Sequence, residues 1–75
     1  MIRELDRVVL TEAFPDLSLE AGDIGTVVLI HENGAGFEVE FVTLTGETLG
    51  VTTLTNDQVR PIRRGEIASA RVLAA

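Results

Sequence analysis

The sequence predicts an all-β fold, a small five-stranded antiparallel barrel, and three observations carry that expectation. Val, Ile, Thr and Phe are abundant and gather in short runs, the composition of strands rather than helices. Gly, Pro, Asn and Asp punctuate most of the gaps between those runs, as the turns of a meander require. Phe37, Val39 and Phe41 alternate with Glu38 and Glu40, a period of two that buries one face and wets the other.

The first strand is expected over Asp6–Thr11. Ala13–Asp23 follows, too long for a tight hairpin connection and too apolar at Phe14, Leu17 and Leu19 to stay in water; it reads as an ordered, packed loop. The second strand, Thr26–His31, meets the third, Gly36–Thr43, across Asn33-Gly34, the pair that best accepts positive φ at both centres of a two-residue type I′ turn. Folding about that turn sets Ile30 opposite Phe37 and Val28 opposite Val39. Val28 and Ile30 are then expected in the core, with Val27 and Leu29 outside beside Glu40 and Glu38.

The fourth strand, Thr48–Leu54, is expected to turn Leu49 and Val51 inward, which demands an odd-numbered loop. Leu44-Thr45-Gly46 supplies three residues, with Gly46 in the left-handed conformation of a bulge. Gly50, inside the strand, suggests a bend or a close backbone approach. Thr55-Asn56-Asp57-Gln58 has a capping-box arrangement suited to one helical turn. Val59–Ile62 makes the fifth strand, short and at an edge because Pro61 cannot donate to a ladder.

Strand, long loop, three-strand meander, helical turn and short strand together follow the Src-homology-3-like barrel topology, the alternative being another small five-stranded barrel. Residues 1–62 form the expected barrel domain and residues 63–75 a C-terminal tail. In the tail, Ile67, Ala70, Arg71 and Ala74 suit one helical stripe, whereas Ala70-Arg71-Val72-Leu73 suits an added strand; both readings stand.

Charge limits the possible partners. All 6 basic residues are arginine, against 12 acids, for a net charge of -6. The acids crowd residues 1–62, while residues 63–75 hold three arginines against Glu66. Such a body repels a phosphate backbone, so no nucleic-acid partner is expected. With no cysteine there is neither a disulfide nor a thiolate zinc site. No leader or long apolar run stands out, so no membrane partner is expected and the cytoplasm is the default compartment.

Glu20-Ala21-Gly22-Asp23-Ile24-Gly25-Thr26-Val27-Val28 resembles the glycine turn that opens the second strand of the Kyrpides–Ouzounis–Woese motif in ribosomal and transcription-elongation proteins. Other segments add to it: Glu4-Leu5-Asp6-Arg7-Val8-Val9-Leu10-Thr11, Gly36-Phe37-Glu38-Val39-Glu40-Phe41 and Asn56-Asp57-Gln58-Val59-Arg60-Pro61-Ile62. With these, residues 1–62 resemble the small bacterial family called domain of unknown function 4926. The resemblance implies a compact standalone barrel and brings no activity. The nucleic-acid role of the motif does not carry over, because its basic loop residues have acidic counterparts here, such as Glu20 and Asp23.

Candidate chemistry is sparse. Glu38 and Glu40 share a strand face at a spacing open to a carboxylate pair, yet this is also the ordinary wet side of an amphipathic strand. Glu12, Asp16, Glu20 and Asp23 gather oxygens that match no calcium-loop spacing. His31 is the single histidine, and neither Ser18 nor Ser69 lies in a nucleophile motif. No Tyr or Trp is available for a proline-peptide groove. The expectation is therefore a non-enzyme with no cofactor and no metal, acting on a protein partner or on itself as a homo-oligomer.

Three surfaces are candidates for such contacts. One is an apolar stripe of Val27 and Leu29 bordered by Glu38 and Glu40, which Ile67, Val72 and Leu73 of the tail would cover. Another is the edge of the fifth strand with the tail, where Arg60, Arg63 and Arg64 would set orientation. The last is the acidic group Glu12, Asp16, Glu20 and Asp23, which in an antitoxin- or immunity-type protein would neutralise a basic partner.

Overall fold

A computed structural model describes residues 1–73. Five strands, β1 (Arg7–Leu10), β2 (Ile24–His31), β3 (Gly36–Val42), β4 (Thr48–Thr55) and β5 (Val59–Pro61), pair antiparallel in a single sheet of order β4-β3-β2-β1-β5. The fold is all-β, and the strands lie close to their expected positions. The ladder is open, since no pairing joins β4 to β5. Pro61 ends the edge strand β5 opposite Val8, where its missing N–H does no harm.

With no α-helix among the described residues to lay against it, the sheet buries its inner face on itself. Val8 and Leu10 of β1, Val27 of β2, Phe37, Val39 and Phe41 of β3, Leu54 of β4 and Val59 of β5 form one buried cluster. Leu54 and Val59 thus belong to one core although their strands are not paired. Leu19 plugs the cluster from the long loop, with Phe14 and Leu17 packed behind it, as the apolarity of that loop required. Phe14 and Leu19 form an isolated bridge around a 3-10 turn at Pro15–Leu17.

The odd-numbered face of β3 is buried as expected, but both neighbours correct the predicted register. Ile30 does lie opposite Phe37, whereas Val39 faces Val27 rather than Val28, because Val28 is the extra residue of a bulge. Val27 is 0% exposed and Val28 40%, the reverse of the expectation. A bulge adds twist where the sheet must curl, and the N-terminal segment supports it: Leu5 N–H donates to the Val27 carbonyl (2.7 Å) and Val27 N–H to that of Asp6 (2.9 Å).

A second bulge acts on β4. The loop Leu44-Thr45-Gly46 forms as expected, with Gly46 at φ 93°, Gly46 N–H donating to Thr43 O (2.9 Å) and Thr43 N–H to Glu47 O (2.8 Å). Val42 then faces Thr48 but Phe41 faces Gly50, so Leu49 is unpaired. Parity flips after it. Leu49 packs partly on the core, Leu54 takes the buried place opposite Phe37, and Val51 turns outward beside Glu40.

Two turns also differ from expectation. The β2–β3 connection has four residues, Glu32 to Ala35, with a 3-10 turn at Glu32–Gly34 and Ala35 N–H donating to His31 O (3.1 Å). Four is as even as two, so the Ile30–Phe37 register survives. Between β4 and β5 the chain makes a hydrogen-bonded turn rather than a helix. The capping-box side chain is nonetheless in place, Gln58 Oε1 accepting from Thr55 N–H (2.9 Å).

The tail has neither of its expected forms: residues 63–73 contain no helix and no strand. Ala74, the last member of the expected helical stripe, lies outside the described residues. Ile67 and Val72 are not buried.

Gly25 shows how tightly the sheet is curled. A Cβ there would lie 2.5 Å from Val39 Cγ1 and 2.7 Å and 2.9 Å from the Phe41 ring. Gly25→Ala is expected to cost about 1–3 kcal/mol, the range for overfilling a packed core. The check is a lower urea midpoint at unchanged slope, and a variant as stable as the parent would contradict this packing.

Candidate functional site

Two charged residues of the tail, Glu66 and Arg71, hold it against the outer face of the sheet. At its start, Glu66 receives both forks of Arg60: Nη1 donates to Oε1 (2.9 Å) and Nη2 to Oε2 (2.6 Å). Arg63 N–H donates to the same Oε1 (2.6 Å). Paired hydrogen bonds of this geometry are stronger than a point contact. They pull the Glu66 carboxyl from its ordinary 4.5 down to about 2, first through the Arg60 hydrogen bonds and then through the Arg63 amide.

Further along, Arg71 reaches the turn that opens β2. Its Nε donates to Asp23 Oδ1 (3.1 Å), its Nη2 to Asp23 Oδ2 and to Ser18 O (3.3 Å), and Nη1 lies 3.8 Å from Glu20 Oε2. Hydrogen bonding to Asp23 raises the Arg71 pKa further. Asp23 Oδ2 also accepts the Glu20 N–H (2.8 Å). One carboxylate thus closes the glycine turn and anchors the tail.

Between these anchors the tail passes over outward-facing residues. Val9 points away from the core cluster and pairs with Ile24 and Arg60, yet it is buried. A small cavity of about 200 Å³ beside it is walled by Ile62, Ile67 and Ala68. A larger, mostly apolar groove of about 690 Å³ continues past Ile24, Val42, Leu44 and Leu49 under residues Ile67 to Leu73. The expected cover for Val27 and Leu29 therefore lies over Val9, Ile24 and Val42.

The other predicted residues divide as follows. Val27 is a core residue and leaves the candidate surface. Leu29 stays outside, opposite Glu38, while Glu40 faces Thr26 and Val51. Glu38 Oε2 accepts from Thr53 Oγ1 (2.5 Å) and lies 2.7 Å from His31 Nε2; these hydrogen bonds, Thr53's first, hold its carboxyl below the usual range. Glu20 and Asp23 face Arg71, and Glu12 and Asp16 are exposed. Arg60 is joined to Glu66, and Arg63 and Arg64 are exposed. Among the described residues no group of three His, Asp or Glu side chains could hold a metal, and no helix is long and apolar enough to cross a membrane.

Sequence reasoning missed Glu66 and Arg71 as anchors. Arg71 lies 48 residues from Asp23, and only their opposite signs link them in the sequence. The Arg60–Glu66 pair, six residues apart, was the more accessible, because it spans the expected junction of domain and tail.

Fold and surface together define a small all-β protein with an open five-stranded antiparallel sheet and a tail anchored by ion pairs. The chain belongs to the family described as Domain of unknown function (DUF4926), which matches residues 4–61. The matched stretch ends before Glu66 and Arg71. No curated protein and no solved structure matches the chain.

Two measurements check the anchors. Glu66 is depressed in the folded chain, so its contribution to stability is full above its unfolded value near 4.5 and fades as pH falls towards about 2. A carboxyl NMR titration should place its midpoint at about 2 and move it back towards 4.5 in Arg60→Met; a midpoint already at 4.5 in the parent means that the pair does not form in solution. In Arg71→Met, amides of residues 63–73 should exchange severalfold faster while those of β3 are unchanged. Equal rates in the tail would show that Arg71 does not hold it.

Proposed function

We propose that this protein is a non-enzymatic, acidic interaction module of the bacterial cytoplasm, and that it docks on a protein partner through the anchored tail and the sheet beside it. One observation supports the reading above all: Ile67 and Val72 are 87% and 93% exposed on a segment held by ion pairs, next to exposed Ile24, Val42 and Leu44. Apolar side chains gathered on an ordered surface mark contact sites. A segment ordered in advance loses less entropy when a partner arrives. Exposed Arg63 and Arg64 give that surface a positive margin on an acidic body, which favours one orientation of approach.

In this reading the curled sheet is a Src-homology-3-like barrel left unpaired between β4 and β5, with Leu54 and Val59 contributing to one core. With no Tyr or Trp in the chain, the partner is not a proline-rich peptide in an aromatic groove. A neutralising role against a basic partner has less support. Two of the four carboxylates it needs, Glu20 and Asp23, already face Arg71, leaving Glu12 and Asp16 for it.

The test compares the full chain with Ile67→Asp/Val72→Asp as baits in cross-linked extracts of the native host. Loss of two central apolar contacts should cut recovery of a specific partner by about tenfold or more, with the melting temperature unchanged. Equal recovery by both baits would remove the tail from the docking surface.

A further inference from the structure

The two ends of the sheet are unlike. The β5 edge has three residues, ends at Pro61 and carries Arg60 with its Glu66 partner, features that discourage strand addition. The β4 edge is Thr48-Leu49-Gly50-Val51-Thr52-Thr53-Leu54-Thr55: eight residues with no charge and no proline. Among the described residues β4 pairs only with β3. Its other side carries no backbone hydrogen bond from Thr48 to Leu54, and only at Thr55 are the N–H and the carbonyl taken, both by Gln58.

We propose that the β4 edge is a second interaction surface, separate from the tail, and that its occupant is β4 of another copy of this chain, paired antiparallel about a twofold axis. Three features favour self-pairing. An edge met antiparallel by its own copy is self-complementary in backbone hydrogen bonding. Two chains of net charge -6 repel across most of their surfaces, and β4 is the edge strand that carries no charge at all. Five of its eight residues, four Thr and Val51, are β-branched and pair well across strands; a foreign peptide would look for pockets that take alternate side chains.

Pairing joins two five-stranded sheets into one continuous sheet and moves Val51, 52% exposed, against the partner copy. Strand pairing alone buries less surface than a standard stable interface, so the dimer dissociates on dilution.

Sedimentation equilibrium on the full chain, from about 10 µM to about 1 mM, spans the range expected for a small interface. The parent should pass from monomer towards dimer, and Val51→Lys/Thr53→Lys should stay monomeric because like charges would then face each other across the axis. Hydrogen exchange on the parent needs no variant to fold: amides of Thr48 to Thr55 should gain protection as concentration rises. A parent that is monomeric throughout overturns the proposal. So does a dimer whose added protection falls on Ile67 to Leu73, a result that would leave the tail reading standing while removing this one.

Discussion

The structure depends on one constraint: a five-stranded sheet, with no α-helix among the described residues to cover it, has to hide an apolar face on itself. Flat strands cannot do that. The curl is made where the backbone departs from regular pairing, at the Val28 bulge, at the Leu49 bulge and at Gly25, where β2 comes so close to Val39 and Phe41 that no side chain fits. Each bulge also reverses which residues face inward beyond it. The core is filled by Val27 and Leu54, and Val28 and Val51 are left outside.

A small sheet that closes its inner face this way has little left to cover the outer one. Val9 and Ile24 pair side by side there, with Val42 exposed in the groove they lead to. The tail crosses them without regular hydrogen bonding of its own, held by guanidinium–carboxylate pairs at Glu66 and Asp23. Such pairs fix position more than they add stability. The tail accordingly shields Val9 and leaves its own Ile67 and Val72 in solvent. Part of the acidic surface is neutralised within the chain, which moves the centre of functional interest from the acidic loop to the tail.

Much of the architecture was legible because it rests on local signals. The alternation of Phe37 to Phe41, the turn residues at Asn33-Gly34 and Leu44-Thr45-Gly46, and Pro61 all act within a few residues of themselves. Strand number and approximate limits followed from them. The inward residues of β2 and β4 did not, because a one-residue bulge is set by the curl of the whole sheet and carries no composition of its own. Val28 and Val51 look as suited to the core as Val27 and Leu54. The candidate surface shifted with them: Val27 left it, and Ile24, Val42, Ile67 and Val72 entered.

The amino-acid order by itself determined the all-β class, the antiparallel meander, the apolar face of β3 and the residues of the family match, since each follows from side-chain period and turn chemistry. Tertiary structure alone decided the parity of β2 and β4, the open seam between β4 and β5 and the course of the tail. The physical reason is range: pleat and turn preferences act between near neighbours, whereas the curl and the Asp23–Arg71 contact join groups that only the folded chain brings together.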